Sequence, residues 1–160
     1  MLVGREAEID FLNSHYSSEN SQILVVYGRK GLGKTTLLRH FAQDKFFSYY
    51  LGRSCSEKEQ RHRWGLELGR QGVALSENPG YAELLDACRG VGNRKESKLV
   101  LILDEFHHLV KADPSFILAL LQYVELSGPS EPILVILSTS ATGWVENNMI
   151  SKIGRAALSL

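Results

Sequence analysis

Four short apolar runs constrain the fold most: "ILVVY" (23–27), "FFSYYLG" (46–52), "LVLIL" (99–103) and "ILVIL" (133–137). Three of them are continuous and rich in β-branched residues, without polar alternation. A strand reads that way when both of its faces are covered, as in a parallel sheet. Helical patterns fill the spaces between them. Residues 5–16 place Ile9, Leu12 and Tyr16 on one face. A second helix runs to about Ala42 with Leu37, Leu38 and Phe41 inward. Ser56 and Glu59 form a capping-box pair ahead of a helix carrying Trp64 and Leu68. Asn78 is the expected cap of a further helix, with Pro79 in its first turn. Its apolar face joins Tyr81, Leu84, Leu85 and Cys88. Asp113-Pro114 opens the very apolar helix "SFILALLQYVEL", which Gly128 and Pro129 stop. Strands alternating with helices predict an α/β class with a mainly parallel sheet. The charged stretch 89–98 is the best candidate for a flexible loop.

The totals agree with one domain. At 160 residues, 44% hydrophobic and 22% charged, the chain can bury a sizeable core. Lysine plus arginine and aspartate plus glutamate number 18 each, so no global charge favours nucleic acid or membranes. No apolar run approaches a membrane span. The N-terminal segment lacks the apolar core of a signal peptide. Cys55 and Cys88 stand in no metal-ligand spacing. A cytoplasmic protein with reduced thiols is the expectation.

Residues 28–35, "GRKGLGKT", fit G-x-x-x-x-G-K-S/T at every fixed position. The glycines allow successive backbone N–H groups to face phosphate oxygens, and the helix that follows adds its N-terminal dipole. Arg29, Lys30, Gly31, Leu32, Gly33, Lys34, Thr35 and Thr36 are thus the candidate phosphate binders. Lys34 can reach the β- and γ-phosphates, and the Thr35 hydroxyl can ligate Mg2+. The run 99–103 then delivers Asp104-Glu105 to the C-terminal end of a strand, where open α/β sheets place ligands. Asp104 is the candidate to hold the metal, directly or through water. Glu105 is the candidate to orient or deprotonate a water attacking the γ-phosphate. Strand 133–137 leads into Ser138-Thr139-Ser140. There Ser140 or Thr139 offers a hydroxyl to the γ-phosphate or the water, and a simple polar strand end is the equal alternative.

With those residues in place, the chain resembles the additional-strand-glutamate class of P-loop ATPases. More narrowly it is similar to the prokaryotic "archaeal ATPase" family, in the STAND branch close to AAA+ proteins. Val3-Gly4-Arg5-Glu6 resembles that family's opening VGRE motif. "YGRKGLGKTTLL" resembles its phosphate loop, "LILDEFHHL" its Walker B segment, "LSTS" its sensor strand, and "IGRAALSL" its YGR element. The resemblance implies a three-layer P-loop NTPase sandwich covering residues 1–160, with sheet order 5-1-4-3-2 and a short or incomplete fifth strand. It implies binding and hydrolysis of ATP with Mg2+, coupled to conformational change. An ATP-gated switch with negligible turnover is the alternative. A lid or winged-helix region beyond residue 160 is implied as well, with a protein partner or a second copy acting through it. DNA enters only by way of that region. Val3 and Gly4 are expected beside the adenine; Arg5 is expected either there or paired with an acidic residue. In AAA-like proteins an arginine just before the last core strand acts on a neighbour's γ-phosphate, at ~10³–10⁵ in rate. The resemblance implies that role for Arg155, with an exposed loop arginine as the alternative.

Two features depart from the family pattern. Thr139 stands where glycine is usual, and His107-His108 follows "DEF" in place of a polar residue. Adjacent histidines are expected to point in different directions, and no carboxylate or cysteine spacing completes a zinc site. They read as surface or packing residues. The cluster Arg61-His62-Arg63-Trp64 is basic, but Trp64 is expected in the core. No guanine-recognition motif of the NKxD type occurs.

Overall fold

A computed structural model of the chain describes residues 4–91, 98–153 and 156–160. Five parallel strands form one sheet: β1 (Gln22–Tyr27), β2 (Phe47–Leu51), β3 (Leu99–Asp104), β4 (Ile133–Thr139) and β5 (Ala157–Ser159). Their spatial order is β2-β3-β4-β1-β5. That is the 5-1-4-3-2 arrangement expected, read from the other edge. The helices are α1 (Glu6–Tyr16), α2 (Lys34–Ala42), α3 (Glu57–Arg70), α4 (Tyr81–Ala87), α5 (His107–Ala112), α6 (Ser115–Leu126), α7 (Thr142–Asn148) and α8 (Ile150–Ile153). Among the described residues no helix is long and apolar enough to cross a membrane.

The pleat sorts strand residues into two cores. Leu24, Val26, Val100, Ile102, Leu134 and Ile136 face α1 and α2, where Leu12, Leu37, Leu38 and Phe41 cover them. Val25, Leu99, Leu101, Leu103, Ile133, Val135 and Leu137 face the opposite layer, built from α3 to α8. Every residue of β3 and β4 is buried, as continuous apolar runs demand. Trp64 anchors the second layer. It stacks on Tyr50 with centroids 4.9 Å apart and 13° between planes, and meets Phe116 edge-on. Cys88 is fully buried there, and burial pushes its thiol up to about 12. The fifth strand is short, three residues paired with Val25–Tyr27.

Ser56 caps α3 as read, its Oγ accepting from the Glu59 N–H at 3.2 Å. The expected cap of α4 is corrected. That helix starts at Tyr81 behind an extended Gly80, so Asn78 and Pro79 lie outside it. Arg61 explains the difference, because its Nη1 donates to both Asn78 Oδ1 and the Pro79 carbonyl at 3.0 Å. Arg61 also pairs with Glu57, and Arg63 with Glu59, so each arginine of that cluster meets an acid one turn back. The best part of the candidate flexible loop, 92–97, lies outside the described residues.

Candidate functional site

The C-terminal ends of β1, β3 and β4 meet at one edge of the sheet, and the chemistry-bearing residues gather there. The turn from β1 into α2 is made by Gly31 and Gly33, with φ of 87° and 80°. A side chain is strained at such angles, so these two positions need glycine. Arg29, Lys30, Gly31, Gly33, Thr35 and Thr36 are exposed on this turn, and Leu32 is half-buried. Lys34 is buried instead. Its Nζ donates to the carbonyls of Gly28 at 2.6 Å and Arg29 at 3.1 Å, folding it back over the loop. Arg5 Nη1 pairs with Glu8 at 3.3 Å, and Nη2 donates to the Leu32 carbonyl. The opening segment is thereby tied to the loop, and Arg5 has the acidic partner that was one of its two readings. Gly4 is exposed nearby with φ 75°. Val3 and Arg155 lie outside the described residues.

Asp104 is 3% exposed and organises the site. Its Oδ2 accepts from Thr35 Oγ1 and from the Tyr49 hydroxyl, each at 2.7 Å. Its Oδ1 accepts from Ser138 Oγ at 2.6 Å and from the Glu105 N–H at 3.0 Å. A carboxylate has about four acceptor positions, so this one is fully engaged. Glu105 follows with φ 49°, the non-glycine residue with positive φ among those described. A left-handed conformation there costs of order 1–3 kcal/mol and tends to mark functional positions. The Glu105 carboxylate takes two bonds from one residue: Oε1 from the Ser140 N–H and Oε2 from Ser140 Oγ, both 2.7 Å.

Ser140 and Thr139 have different partners. Ser140 faces Glu105. Thr139 is fully buried, with Oγ1 2.7 Å from His107 Nδ1 and accepting from the Ala141 N–H at 3.0 Å. The expected divergence of the two histidines is corrected: their ring centroids lie 4.0 Å apart at 40°. They occupy the first turn of α5 immediately after the Glu105 bend, and His107 is held inward by Thr139 and packs 6.1 Å from the Trp144 ring. Burial, with neighbouring positive groups, lowers the pKa of both.

The family of ATPase domains predominantly from Archaea matches residues 2–159. The chain belongs to that family. An uncharacterized protein of Methanocaldococcus jannaschii is 27% identical over 151 residues, spanning 94% of this chain and 32% of its own length. The ORC1 protein of Aeropyrum pernix, solved in complex with DNA, superposes with a TM-score of 0.67 at 20% identity, over 99% of this chain and 45% of that one. A Walker-type ATPase of Pyrococcus abyssi gives 0.66 at 18% identity, over 99% and 53%. The chain therefore spans about a third to a half of the length of these three proteins. At such identities the two structures establish the P-loop NTPase fold.

Within this ATPase domain, Tyr49 and Ser138 are the site residues that motif reading missed. Ser138 stands inside "LSTS", but nothing in the motif says which hydroxyl meets Asp104. Tyr49 comes from β2, far from any motif, and Arg39 lies 4.1 Å over its ring. Burial and the bond to Asp104 push its phenol well above the ordinary tyrosine range. The pairing Tyr49↔Ile102 puts it two residues short of Asp104 on the neighbouring strand, close enough for its hydroxyl to reach. Asp104 and the hydroxyls of Thr35, Tyr49 and Ser138 gather hard side-chain oxygens at one point, the kind Mg2+ takes. Membership of the ATPase family implies nucleotide binding.

Proposed function

We propose that this ATPase domain binds ATP with Mg2+ over residues 28–36 and hydrolyses it. The observation that carries the proposal is the 2.7 Å bond between Thr35 and Asp104, 69 residues apart. It joins the hydroxyl after the loop lysine to the carboxylate ending β3, the two groups assigned to the metal. Bound Mg2+ would supply positive charge to the phosphates. Thr35 and Asp104 hold it, directly or through water. Lys34 exchanges its bonds to the Gly28 and Arg29 carbonyls for phosphate oxygens. Backbone N–H groups of 29–36 and the α2 dipole receive the remaining negative charge. Glu105 orients the attacking water and accepts its proton, with Ser140 positioning the carboxylate. Val3 and Gly4 lie near the base, and Arg155 acts on the γ-phosphate of a neighbouring copy.

A second reading is favoured by the Glu105–Ser140 pair. A carboxylate already taking two bonds from Ser140 is restrained from the water, as suits an ATP-gated switch that turns over slowly. The domain then works as the nucleotide-sensing part of a longer protein, with its partner, whether protein, second copy or DNA, reached through the rest of the chain. Calorimetry with ATP, ADP and GTP, each with and without Mg2+, tests the binding half. Binding without any Mg2+ dependence contradicts the roles of Thr35 and Asp104. Comparing ATP turnover with that of Glu105→Gln tests the other half. Unchanged turnover in that variant removes Glu105 as base, and undetectable wild-type turnover favours the switch.

A further inference from the structure

Just after Asp104 in the chain, at the start of α5, three ligand-type side chains converge. Glu105, His107 and His108 each offer one donor atom, and these atoms all lie within 4.8 Å of one another. We propose that they form a site for a Zn2+-class transition metal, distinct from the oxygen-lined Mg2+ position at Thr35 and Asp104. Two imidazoles and one carboxylate are a donor set that Zn2+ favours, three protein ligands leaving a fourth position open. Mg2+ requires near-octahedral oxygen ligation and is poorly served by imidazole.

The surrounding geometry is that of a supported ligand set. Thr139 Oγ1 lies 2.7 Å from His107 Nδ1, inside the core, which leaves Nε2 as the nitrogen free to ligate. An outer partner on one ring nitrogen is the usual means of fixing the tautomer and orientation of a metal-bound histidine. The His108 ring lies against His107 at 4.0 Å, which brings the second imidazole to the same point. Ser140 donates once to each Glu105 oxygen and so orients the carboxylate while leaving acceptor capacity on both. His107 is buried, whereas Glu105 and His108 are half-exposed, so an ion reaches the site from their side. Lys30 and Lys111 act on the imidazoles as positive charges, and they oppose a cation; the Glu105 carboxylate is the counter-charge within the site.

Occupancy has a consequence that rests on the proposed role of Glu105. A metal-bound carboxylate is withdrawn from the attacking water, so Zn2+ inhibits turnover without competing for the phosphate loop.

The test is a Co2+ titration of the whole chain without nucleotide, followed in the visible range and chased with Zn2+. Four-coordinate Co2+ absorbs strongly, whereas Co2+ on an oxygen-lined six-coordinate site absorbs weakly. One equivalent with strong bands, displaced by Zn2+, is expected. His108→Gln and Glu105→Gln each weaken it by at least the ~10–100-fold typical of lost outer partners, and Thr139→Val weakens it within that range. Far-UV melting of each variant separates lost ligation from lost folding, and a variant that fails to fold leaves the other to decide. Weak bands alone, or affinity unchanged in both folded variants, overturns the site. In the second arm, Zn2+ is titrated into a Mg-ATP turnover assay, each protein scored against its own metal-free rate. Inhibition of wild type but not of His108→Gln is expected. Failure of the Co2+ arm with turnover intact sinks the metal site alone, and Co2+ binding without inhibition sinks Glu105 as base.

Discussion

Gly52 gives the most demanding test of how the sheet edge is built. It follows β2 directly, is buried, and donates its N–H to the Asp104 carbonyl at 2.8 Å. A Cβ added there falls 2.7 Å from the Glu105 carbonyl oxygen and 3.4 Å from that of Asp104. The first distance is about 0.7 Å short of the 3.4 Å at which ordinary contact begins. Both opposing atoms are backbone, so no rotamer relieves the clash. Either the end of β2 or the turn at Asp104-Glu105 must move. Overpacking of this kind costs ~1–3 kcal/mol. In a domain of this size each kcal/mol is worth roughly 2–4 °C of Tm. A displacement approaching 1 Å at a catalytic group costs up to ~10²-fold in rate. Gly52→Ala is therefore expected to lower Tm by several degrees and turnover by about 10–100-fold. The Kd for Mg-ATP changes less, because the phosphate loop is untouched and the closer clash falls on Glu105 rather than on Asp104. Thermal melting, steady-state hydrolysis and calorimetry on one preparation read all three. An unchanged Tm refutes the steric reasoning. A lowered Tm with unchanged turnover refutes the link between Gly52 and Glu105.

Gly69→Ala is the matched control: exposed within α3, with nothing within 4 Å of an added Cβ, it is expected to stabilise by ~0.5–1 kcal/mol in denaturant unfolding. Gln60 is fully buried and bridges α3 to β2, accepting from the Tyr50 hydroxyl at 2.6 Å and the Arg53 N–H at 3.0 Å while donating to the Arg53 carbonyl. Gln60→Ala orphans the Arg53 N–H at ~1–3 kcal/mol before relaxation, while the Tyr50 hydroxyl keeps the Gln60 carbonyl at 3.2 Å, so a urea midpoint indistinguishable from wild type would contradict the buried bridge. Tyr49→Phe removes one of four donors to Asp104 and is expected to cost ~1.5–3 kcal/mol, the range for a hydrogen bond to a charged group. The same variant is expected to alter the Mg2+ dependence of ATP binding; identical calorimetric titrations would place Tyr49 outside the site.

The chain's α/β class and its phosphate loop were legible in the sequence because each rests on local rules, whereas the sheet order came only from the family resemblance. Continuous apolar runs report strands covered on both faces, and a fixed glycine-lysine-threonine spacing reports a turn that few other conformations satisfy. The same holds for the Ser56 cap, which involves groups three residues apart. Asn78 failed as a cap for a non-local reason: Arg61, 17 residues earlier, takes its side chain. The interior of the site was likewise decided only by tertiary structure. Tyr49 reaches Asp104 because β2 and β3 are neighbours in register, a fact no spacing within either strand carries. Thr139 and Ser140 are adjacent in sequence, yet successive side chains near a strand's end point to opposite faces, sending one to His107 and the other to Glu105. His107 and His108 looked divergent on helical geometry alone. The bend at Glu105 and the grip of Thr139 bring them together, and both depend on β4 lying beside β3. Local spacing thus determined the elements and the loop, while the convergence of side chains from separate strands required the assembled sheet.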